Sequence, residues 1–269
     1  MINSIIITFR KNRITINRAY PWSFIFGRIV SGMFAILIPF FIYNYFYKGQ
    51  LNESFIKYAN SSDYLTFLVL GTSFHLLSKG TLMNVGRALV TELREGTIES
   101  FLISPVSRLG YLIGCFLEQF GRAILEFVVI LLMGVLLGAR LNSIFTINSI
   151  IVIMLSIASF FTMSLSLSSF MLYTRDTYIT QNSLFIFLSL VCGIAFPIQY
   201  LPEWLQLFSH LFPLTAALEL FRSVVMHNHS ILMHMDLVVE IVMLSAVYFV
   251  IGIVWHKKIE KKLLSEIFG

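Results

Sequence analysis

Long stretches without a charged residue limit what this chain can fold into more than any other feature of its sequence. Residues 141–174 are 34 consecutive uncharged residues, and residues 29–47 also carry no charge. About 20 apolar residues are enough to cross the hydrocarbon core of a bilayer as a helix. Because lipid offers the backbone no hydrogen-bond partners, such stretches are expected to cross as α-helices. The sequence therefore predicts an all-α, polytopic membrane protein.

The composition argues against a soluble or nucleic-acid-binding protein. Hydrophobic residues make up 57% of the chain and charged residues 12%, whereas a soluble domain is about 25% charged. The net charge is +5, and the basic residues gather near the two ends. In a membrane protein this pattern indicates orientation and contact with lipid headgroups. No repeat or low-complexity linker divides the chain, so we expect one domain over residues 1–269.

The alternation of apolar and polar stretches predicts six transmembrane helices. They are expected at residues 22–47, 63–83, 109–138, 148–174, 178–196 and 237–255. Residues 1–21, which precede these spans and include several basic residues, form either an interfacial helix, the reading we favour, or a disordered tail. Segments placed in the cytoplasm carry 14 basic residues, if Arg28 and Lys79 near the cytoplasmic ends of their spans are counted, and segments placed outside carry four. The positive-inside rule therefore places both termini in the cytoplasm.

The most polar part of the chain is residues 91–108, between the second and third predicted spans. Gly96 breaks the preceding helix, and Thr97 offers an oxygen that can cap a new one. Glu99 then places a negative charge in the first turn, where the helix dipole favours it. Pro105 biases Ser104 away from helical geometry and ends the element. The pattern predicts a short helix at the cytoplasmic surface.

One face of this short helix is apolar, because Ile98, Phe101 and Leu102 follow at helical spacing. Phe101 can fill a pocket in a partner or anchor the helix to its own spans, and the spacing does not distinguish the two. The helix itself is either a docking site for a soluble partner or a plain amphipathic loop on lipid.

Two segments carry a resemblance to a known family. The run R-E-G-T-I-E-S-F-L-I-S-P-V-S-R, from Arg94 to Arg108, resembles a segment of ABC type-2 permeases, the membrane subunits of one class of ATP-binding-cassette exporter. A second run, F-P-I-Q-Y-L-P-E-W-L-Q-L-F-S-H-L-F-P-L-T-A-A-L-E-L-F-R, from Phe196 to Arg222, is similar to the segment before that family's last span. The two have the expected order and separation.

The resemblance implies that the first segment couples the permease to its ATPase. The residues expected to serve this role are Glu95, Gly96, Thr97, Glu99, Phe101, Pro105 and Arg108. The second segment, residues 197–226, is expected to form re-entrant helices, because its prolines prevent one long helix. Its marker residues are Pro197, Pro202, Pro213, Glu219 and Arg222.

The resemblance also implies partners that this chain does not contain. Two permeases, identical or related, are expected to form a dimer with two ATPase subunits in the plasma membrane, and the ATPases to bind ATP and Mg²⁺. The chain has no Gly-Lys dipeptide, so it has no P-loop, and we expect no cofactor in it. It also lacks the more polar entry segment of polysaccharide exporters, which favours export of a lipophilic drug, antibiotic, lipid or peptide.

Three charges interrupt the third predicted span. Glu118, Arg122 and Glu126 are spaced four residues apart on one helix face, and a lone charge in hydrocarbon costs about 2.5–3.5 kcal/mol. They form either a polar stripe along the translocation path or dimer interface, or a structural ion pair. They are also the only support for an alternative function, a secondary transporter or channel driven by an ion gradient.

The remaining polar residues suggest no further chemistry. His227, His229 and His234 have a spacing that predicts a solvated external loop rather than a metal site. The two cysteines, Cys115 and Cys192, lie in apolar stretches, which argues against a disulfide framework. A membrane-embedded enzyme has no motif to support it.

Overall fold

The computed structural model describes residues 1–19, 23–50, 53–61, 63–141 and 143–268. Every regular element within these ranges is helical, which confirms the predicted all-α class. The α-helices are α1 (Ile2–Ala19), α2 (Ser23–Phe41), α3 (Glu53–Ala59), α4 (Tyr64–Arg94), α5 (Ile98–Ile103), α6 (Arg108–Leu136), α7 (Ile147–Thr174), α8 (Tyr178–Val191), α9 (Glu203–Ser209), α10 (Pro213–His227) and α11 (Met235–Phe268). A π-helical turn, Ile42–Phe46, extends α2, and 3-10 turns at Ile198–Tyr200 and Ile231–His234 precede α9 and α11.

Four helical segments in the described part of the chain are long and apolar enough to cross a membrane. They are Ile29–Phe46, α6, α7 and Ile231–Glu266. Helix α4 is 31 residues long but more polar, and α8 is apolar but has only 14 residues. The chain is therefore a polytopic membrane protein, and the number six stays a prediction. The predicted boundary between the interfacial helix and the first span, at residues 20–22, lies outside the described residues.

Helix α4 lies at the centre of the bundle and packs against α6, α7 and α10. Phe74, which is fully buried, stacks on Phe221 of α10 with 4.3 Å between ring centroids. The helix continues to Arg94, well past the predicted end of the second span at residue 83. It does so because Val85 and Leu89 are buried in a second apolar cluster, which also contains residues of α5, α6, α7 and α11. This extension carries the bundle beyond the predicted membrane boundary.

Helices α7 and α11 approach each other closely through small residues. Ser166 Oγ donates a hydrogen bond to the Tyr248 carbonyl at 2.6 Å, and Ser169 Oγ donates to the Gly252 carbonyl at 3.2 Å. A Cβ atom on Gly252 would lie only 2.9 Å from the Ser166 nitrogen. Serine and glycine let membrane helices pack at short range and form hydrogen bonds across the interface. The serine-rich half of α7 has the packing role that its composition indicates.

Prolines set the boundaries of the segment between α8 and α11. Pro197 precedes the 3-10 turn, Pro202 precedes α9, and Pro213 is the first residue of α10. Proline suits these positions because its fixed φ favours a helix start and it has no N–H to leave unpaired. Helices α9 and α10 have seven and 15 residues, which is too short to cross a bilayer. Helix α8 ends at Val191, before the predicted end of the fifth span, and Gly193 follows with φ +69°.

Ion pairs connect five segments at one end of the bundle. Helix α1 reaches the end of α4 through Lys11 and Glu92, with 2.6 Å between Nζ and Oε1. The turn after α7 reaches α11 through Arg175, whose guanidinium lies 2.6 Å from the carboxylate of Glu266. The start of α6 also reaches α11 at this end. These are the segments that the sequence places in the cytoplasm.

Segments predicted to be external meet at the opposite end. Tyr58 of α3 packs edge-on against Tyr200 with 5.6 Å between ring centroids, and the ring of His227 lies 2.9 Å from the Asn60 carbonyl. The bundle thus has one end for each side of the predicted topology.

Candidate functional site

Helix α5 is the short helix predicted within residues 91–108, and special backbone geometry marks both of its ends. Gly96 has φ +72°, the left-handed conformation that glycine adopts without strain, and it turns the chain after α4. Helix α5 then runs for six residues, Ile98–Ile103. Ser104 is extended, and the exposed Pro105 follows it. Ser107 caps α6 by accepting a hydrogen bond from the Gly110 N–H at 3.3 Å.

Thr97 does not cap α5 with its side chain, so that expectation is wrong. Its hydroxyl instead donates to the Glu92 carboxylate, and also lies 3.2 Å from the Glu92 carbonyl oxygen. An ionised carboxylate is a stronger acceptor than water or a neutral group, and the turn at Gly96 brings Thr97 back to it. Thr97 therefore ties the start of α5 to α4.

Glu92 is a functional candidate that the sequence reasoning missed. It is 6% exposed, and its carboxylate accepts hydrogen bonds from Lys11 Nζ at 2.6 Å, from the Tyr111 hydroxyl at 2.9 Å, and from Thr97. Burial opposes ionisation of this carboxyl, but these hydrogen bonds and the Lys11 charge outweigh it and lower its pKa below the usual value. The sequence could have indicated Glu92, because it follows Leu89 by three residues and so lies on the same buried face of α4.

Arg108 holds the end of α5 to two other elements. Its guanidinium donates to the carbonyl oxygens of Leu102 at 2.7 Å and Phe101 at 3.0 Å, which satisfies the last turn of a helix too short to pair them itself. Its Nε donates to the Glu260 carboxylate of α11 at 2.8 Å. The same guanidinium lies 4.7 Å from the centroid of the Phe101 ring. Arg108 is therefore a structural anchor of α5.

The two faces of α5 have different surroundings. Ile98 and Leu102 are buried, and Phe101 packs on the Tyr111 ring of α6 with 4.7 Å between centroids. Phe101 thus anchors the helix to its own chain, which was one of the two possibilities that the spacing allowed. The opposite face leaves Glu99 exposed, and Ile103, one turn later, is 69% exposed. Glu95, just before the turn, is exposed as well.

Helix α1 packs on the start of α6 at two glycines, which the sequence reasoning also missed. A Cβ atom on Gly114 would lie 2.7 Å from the Thr8 Cβ and 2.9 Å from the Ile5 carbonyl oxygen. At Gly110 the nearest atom would be 3.1 Å away, on the first residues of α1. The signal was the G-x-x-x-G spacing, which lets two helix backbones approach closely. The interfacial helix is therefore part of the same assembly as α5.

The three charges on α6 face the inside of the chain. Arg122 pairs with Glu118, with 2.7 Å between the guanidinium and the carboxylate. Glu118 and Glu126 are 6% and 4% exposed, on the helix face that also buries Ala123 and Phe127. This burial favours a structural ion pair over a polar stripe along the translocation path or dimer interface.

Arg222 joins α10 to the break after α8 and to the start of α4. Its guanidinium donates to the carbonyl oxygens of Gly193 and Ile194 at 2.7 Å each, and to that of Phe67 at 3.0 Å. It also lies 3.4 Å from the centroid of the Phe67 ring. Glu219, one turn earlier, lines the same cavity of about 210 Å³ as Arg222.

The histidines near that cavity stack on one another, and all three are partly exposed. The rings of His227 and His229, and of His229 and His234, lie 5.4 Å apart between centroids. His229 Nδ1 is 3.3 Å from His234 Nε2. Within the described ranges, no group of three histidine, cysteine or acidic side chains has an arrangement that could hold a metal ion.

Comparison with known proteins identifies the family to which this arrangement belongs. Residues 6–226 match the ABC-2 type transporter family, a range that runs from α1 through α10 and includes α5. No curated protein matches the chain. The match covers most of the 269 residues and agrees with the all-α membrane fold. The chain belongs to the ABC-2 type transporter family, as a transmembrane permease component.

Proposed function

We propose that this chain is the permease subunit of an ATP-driven exporter in the cell membrane, with both termini in the cytoplasm. Two copies, or one copy and a related permease, would form the translocation path with two separate ATPase subunits that bind ATP and Mg²⁺. The family supports this proposal, because ABC-2 permeases generally work with ABC ATPase subunits. The proposed substrate is a lipophilic drug, antibiotic, lipid or peptide.

One observation supports the coupling role: α5 is anchored on one face and exposed on the other. The anchored face holds Ile98 and Leu102 in the same apolar cluster as Ile259 and Leu263 of α11. The exposed face presents a carboxylate and a large apolar side chain, on Glu99 and Ile103. A charged group beside an apolar one is a suitable contact for a groove on a soluble partner.

The anchors explain how a force on α5 would reach the membrane helices. Thr97 connects the start of α5 to α4 through Glu92, and Arg108 connects its end to α11 through Glu260. Phe101 packs on α6. A displacement of α5 would therefore move α4, α6 and α11 together, because the short helix is bonded to each of them.

The test compares substitutions on the exposed face of α5 with a charge reversal at the opposite end of the bundle. Glu99→Arg should abolish or weaken recruitment of an ATPase, because a charge-assisted contact shielded from water contributes about 1.5–3 kcal/mol. Ile103→Ala removes the neighbouring apolar contact and should weaken recruitment as well. Glu53→Arg, the same reversal on exposed α3 at the opposite end, is the matched control. The measurement is the ATPase that co-purifies in mild detergent, identified and quantified by mass spectrometry, together with ATP-dependent transport.

Two outcomes would contradict the proposal. If Glu99→Arg and Ile103→Ala both retain full partner binding and coupled transport, α5 is only a surface loop. If transport survives without any ATPase and stops when an ion gradient is removed, the chain is a secondary transporter instead.

A further inference from the structure

An apolar cavity lies where α6, α7 and α11 meet, at the end of the bundle that carries α5. Its volume is about 140 Å³, and its walls include Leu109, Leu112, Leu165 and Ile253. A closed apolar cavity of roughly 150 Å³ is large enough to bind benzene. The space therefore fits several methylene groups of an alkyl chain.

The wall of this cavity contains an imidazole that the described part of the chain does not satisfy. His256 lines the cavity together with Lys257, and both of its ring nitrogens are buried without a hydrogen-bond partner among the described residues. Buried side-chain nitrogens in folded proteins nearly always have a partner. The imidazole is therefore available to a ligand that brings a hydrogen-bonding group next to an apolar chain.

A more open groove continues from the cavity along α11. It has a volume of about 470 Å³, it shares Lys257 with the cavity, and it adds Lys258 and Lys261. Glu260 also borders both spaces, but its carboxylate is already paired with Arg108 at 2.8 Å. The groove therefore offers three amines to an anionic group.

The apolar cavity and the lysine-lined groove lie in the same order as the acyl chain and the headgroup of a phospholipid. Apolar walls lie on the side of Ile253, toward the apolar part of α11, and the lysines lie toward its polar end. With the tail in the cytoplasm, the apolar end points into the bilayer and the amines meet the headgroups of the inner leaflet. A ligand with an alkyl chain, a hydrogen-bond acceptor and a negative charge, in that order, matches this arrangement.

We propose that the site binds one anionic phospholipid from the cytoplasmic leaflet. An acyl segment would occupy the apolar cavity, His256 would donate to a phosphate or ester oxygen, and Lys257, Lys258 and Lys261 would face the headgroup. The lipid would sit beside the Arg108–Glu260 pair, so its presence would stiffen the connection between α5 and α11. The site depends on the orientation of the tail but not on the proposed ATPase partner.

Native mass spectrometry of the full-length permease in detergent tests this site with a defined probe. Palmitoyl-oleoyl phosphatidylglycerol is titrated, with the phosphatidylcholine of the same chains and glycerol phosphate as comparison ligands. Wild type should retain phosphatidylglycerol in preference to both. Lys257→Gln should weaken its binding about fivefold, which corresponds to the loss of about 1 kcal/mol for each basic residue near an anionic surface.

Two further variants separate recognition from general charge and from folding. Lys262→Gln removes the same charge from a lysine that lies 5.3 Å from the centroid of the Tyr173 ring, away from the groove, and should bind as wild type does. His256→Phe should weaken binding without lowering the melting temperature in detergent, because it breaks no hydrogen bond among the described residues.

Several results would overturn the site. Equal retention of phosphatidylglycerol and phosphatidylcholine would show that the headgroup charge is not recognised. Equal retention of phosphatidylglycerol and glycerol phosphate would show that the apolar cavity is not used. Equal losses for Lys257→Gln and Lys262→Gln would reduce the effect to general attraction. A His256→Phe variant that binds as wild type does would remove the imidazole from the site.

Discussion

Glu92 lies where α1, α4, α6 and the start of α5 meet, and its ionisation is part of what holds them together. Its pKa is lowered in the folded chain, so its charge stabilises the fold above the usual glutamic acid pKa of about 4.3 and stops doing so as pH falls through the lowered value. We predict that Glu92→Gln lowers the stability at pH 7 by about 1–3 kcal/mol.

The pH dependence of melting in detergent checks this role. The difference between wild type and Glu92→Gln should narrow as the pH falls from the usual glutamic acid pKa of about 4.3 through the lowered one, because the wild-type carboxyl is then progressively protonated. Glu95→Gln, three residues later and exposed, is the control and should melt as wild type does. A pH-independent difference would mean that the carboxylate charge is not the stabilising feature.

Arg122 is the partner that makes the buried Glu118 tolerable. Removing one member of a buried pair leaves an uncompensated charge and costs about 3–5 kcal/mol. Arg122→Leu should therefore damage folding or transport much more than Arg122→Lys, which keeps the positive charge. Thermal unfolding in detergent and transport in reconstituted vesicles measure the two effects. Wild-type behaviour of both variants would show that these charges lie in water and have no part in the mechanism.

At the scale of elements, the sequence predicts helix ends marked by glycine or proline better than it predicts what each helix packs against. Gly96, Pro105 and Pro213 act on the local backbone, so their effect is visible in the sequence. The hydrogen-bond partner of Thr97 is not visible in the sequence, because Glu92 comes within reach of Thr97 only once the turn at Gly96 has folded. Periodicity places Phe101 on the apolar face of α5, but it cannot decide whether that face packs on a partner or on its own chain.

The arrangement of α1 on α6 depends on contacts that are distant in sequence, and two glycines on α6 test it. Gly114→Ala places a Cβ against the backbone of α1 and should destabilise the fold by about 1–3 kcal/mol. Gly121→Ala on the same helix has open space and should be neutral or stabilise by up to about 1 kcal/mol, since alanine favours helix. Melting temperatures of the two variants measure the difference. Equal effects would mean that α1 does not dock at Gly114.

At the scale of the whole molecule, the topology requires opposite accessibility for the two ends of the bundle. Single cysteines replacing Lys57, Asn228 and Ser100, in a background without Cys115 and Cys192, can be treated with an impermeant maleimide. We predict labelling at positions 57 and 228 in intact cells, and at position 100 only after permeabilisation. Labelling of position 100 but not of 57 in intact cells would invert the layout.

The assembled transporter gives the most direct test of the coupling role of α5. A photo-crosslinking amino acid is placed at Ile103, on the exposed face, and separately at Tyr58, which is also exposed but at the opposite end. After irradiation of membranes that contain the whole complex, covalent adducts are identified by mass spectrometry. We predict an ATPase adduct at position 103 and none at position 58. An absence of adducts at position 103 from complexes that still hydrolyse ATP and transport would contradict it.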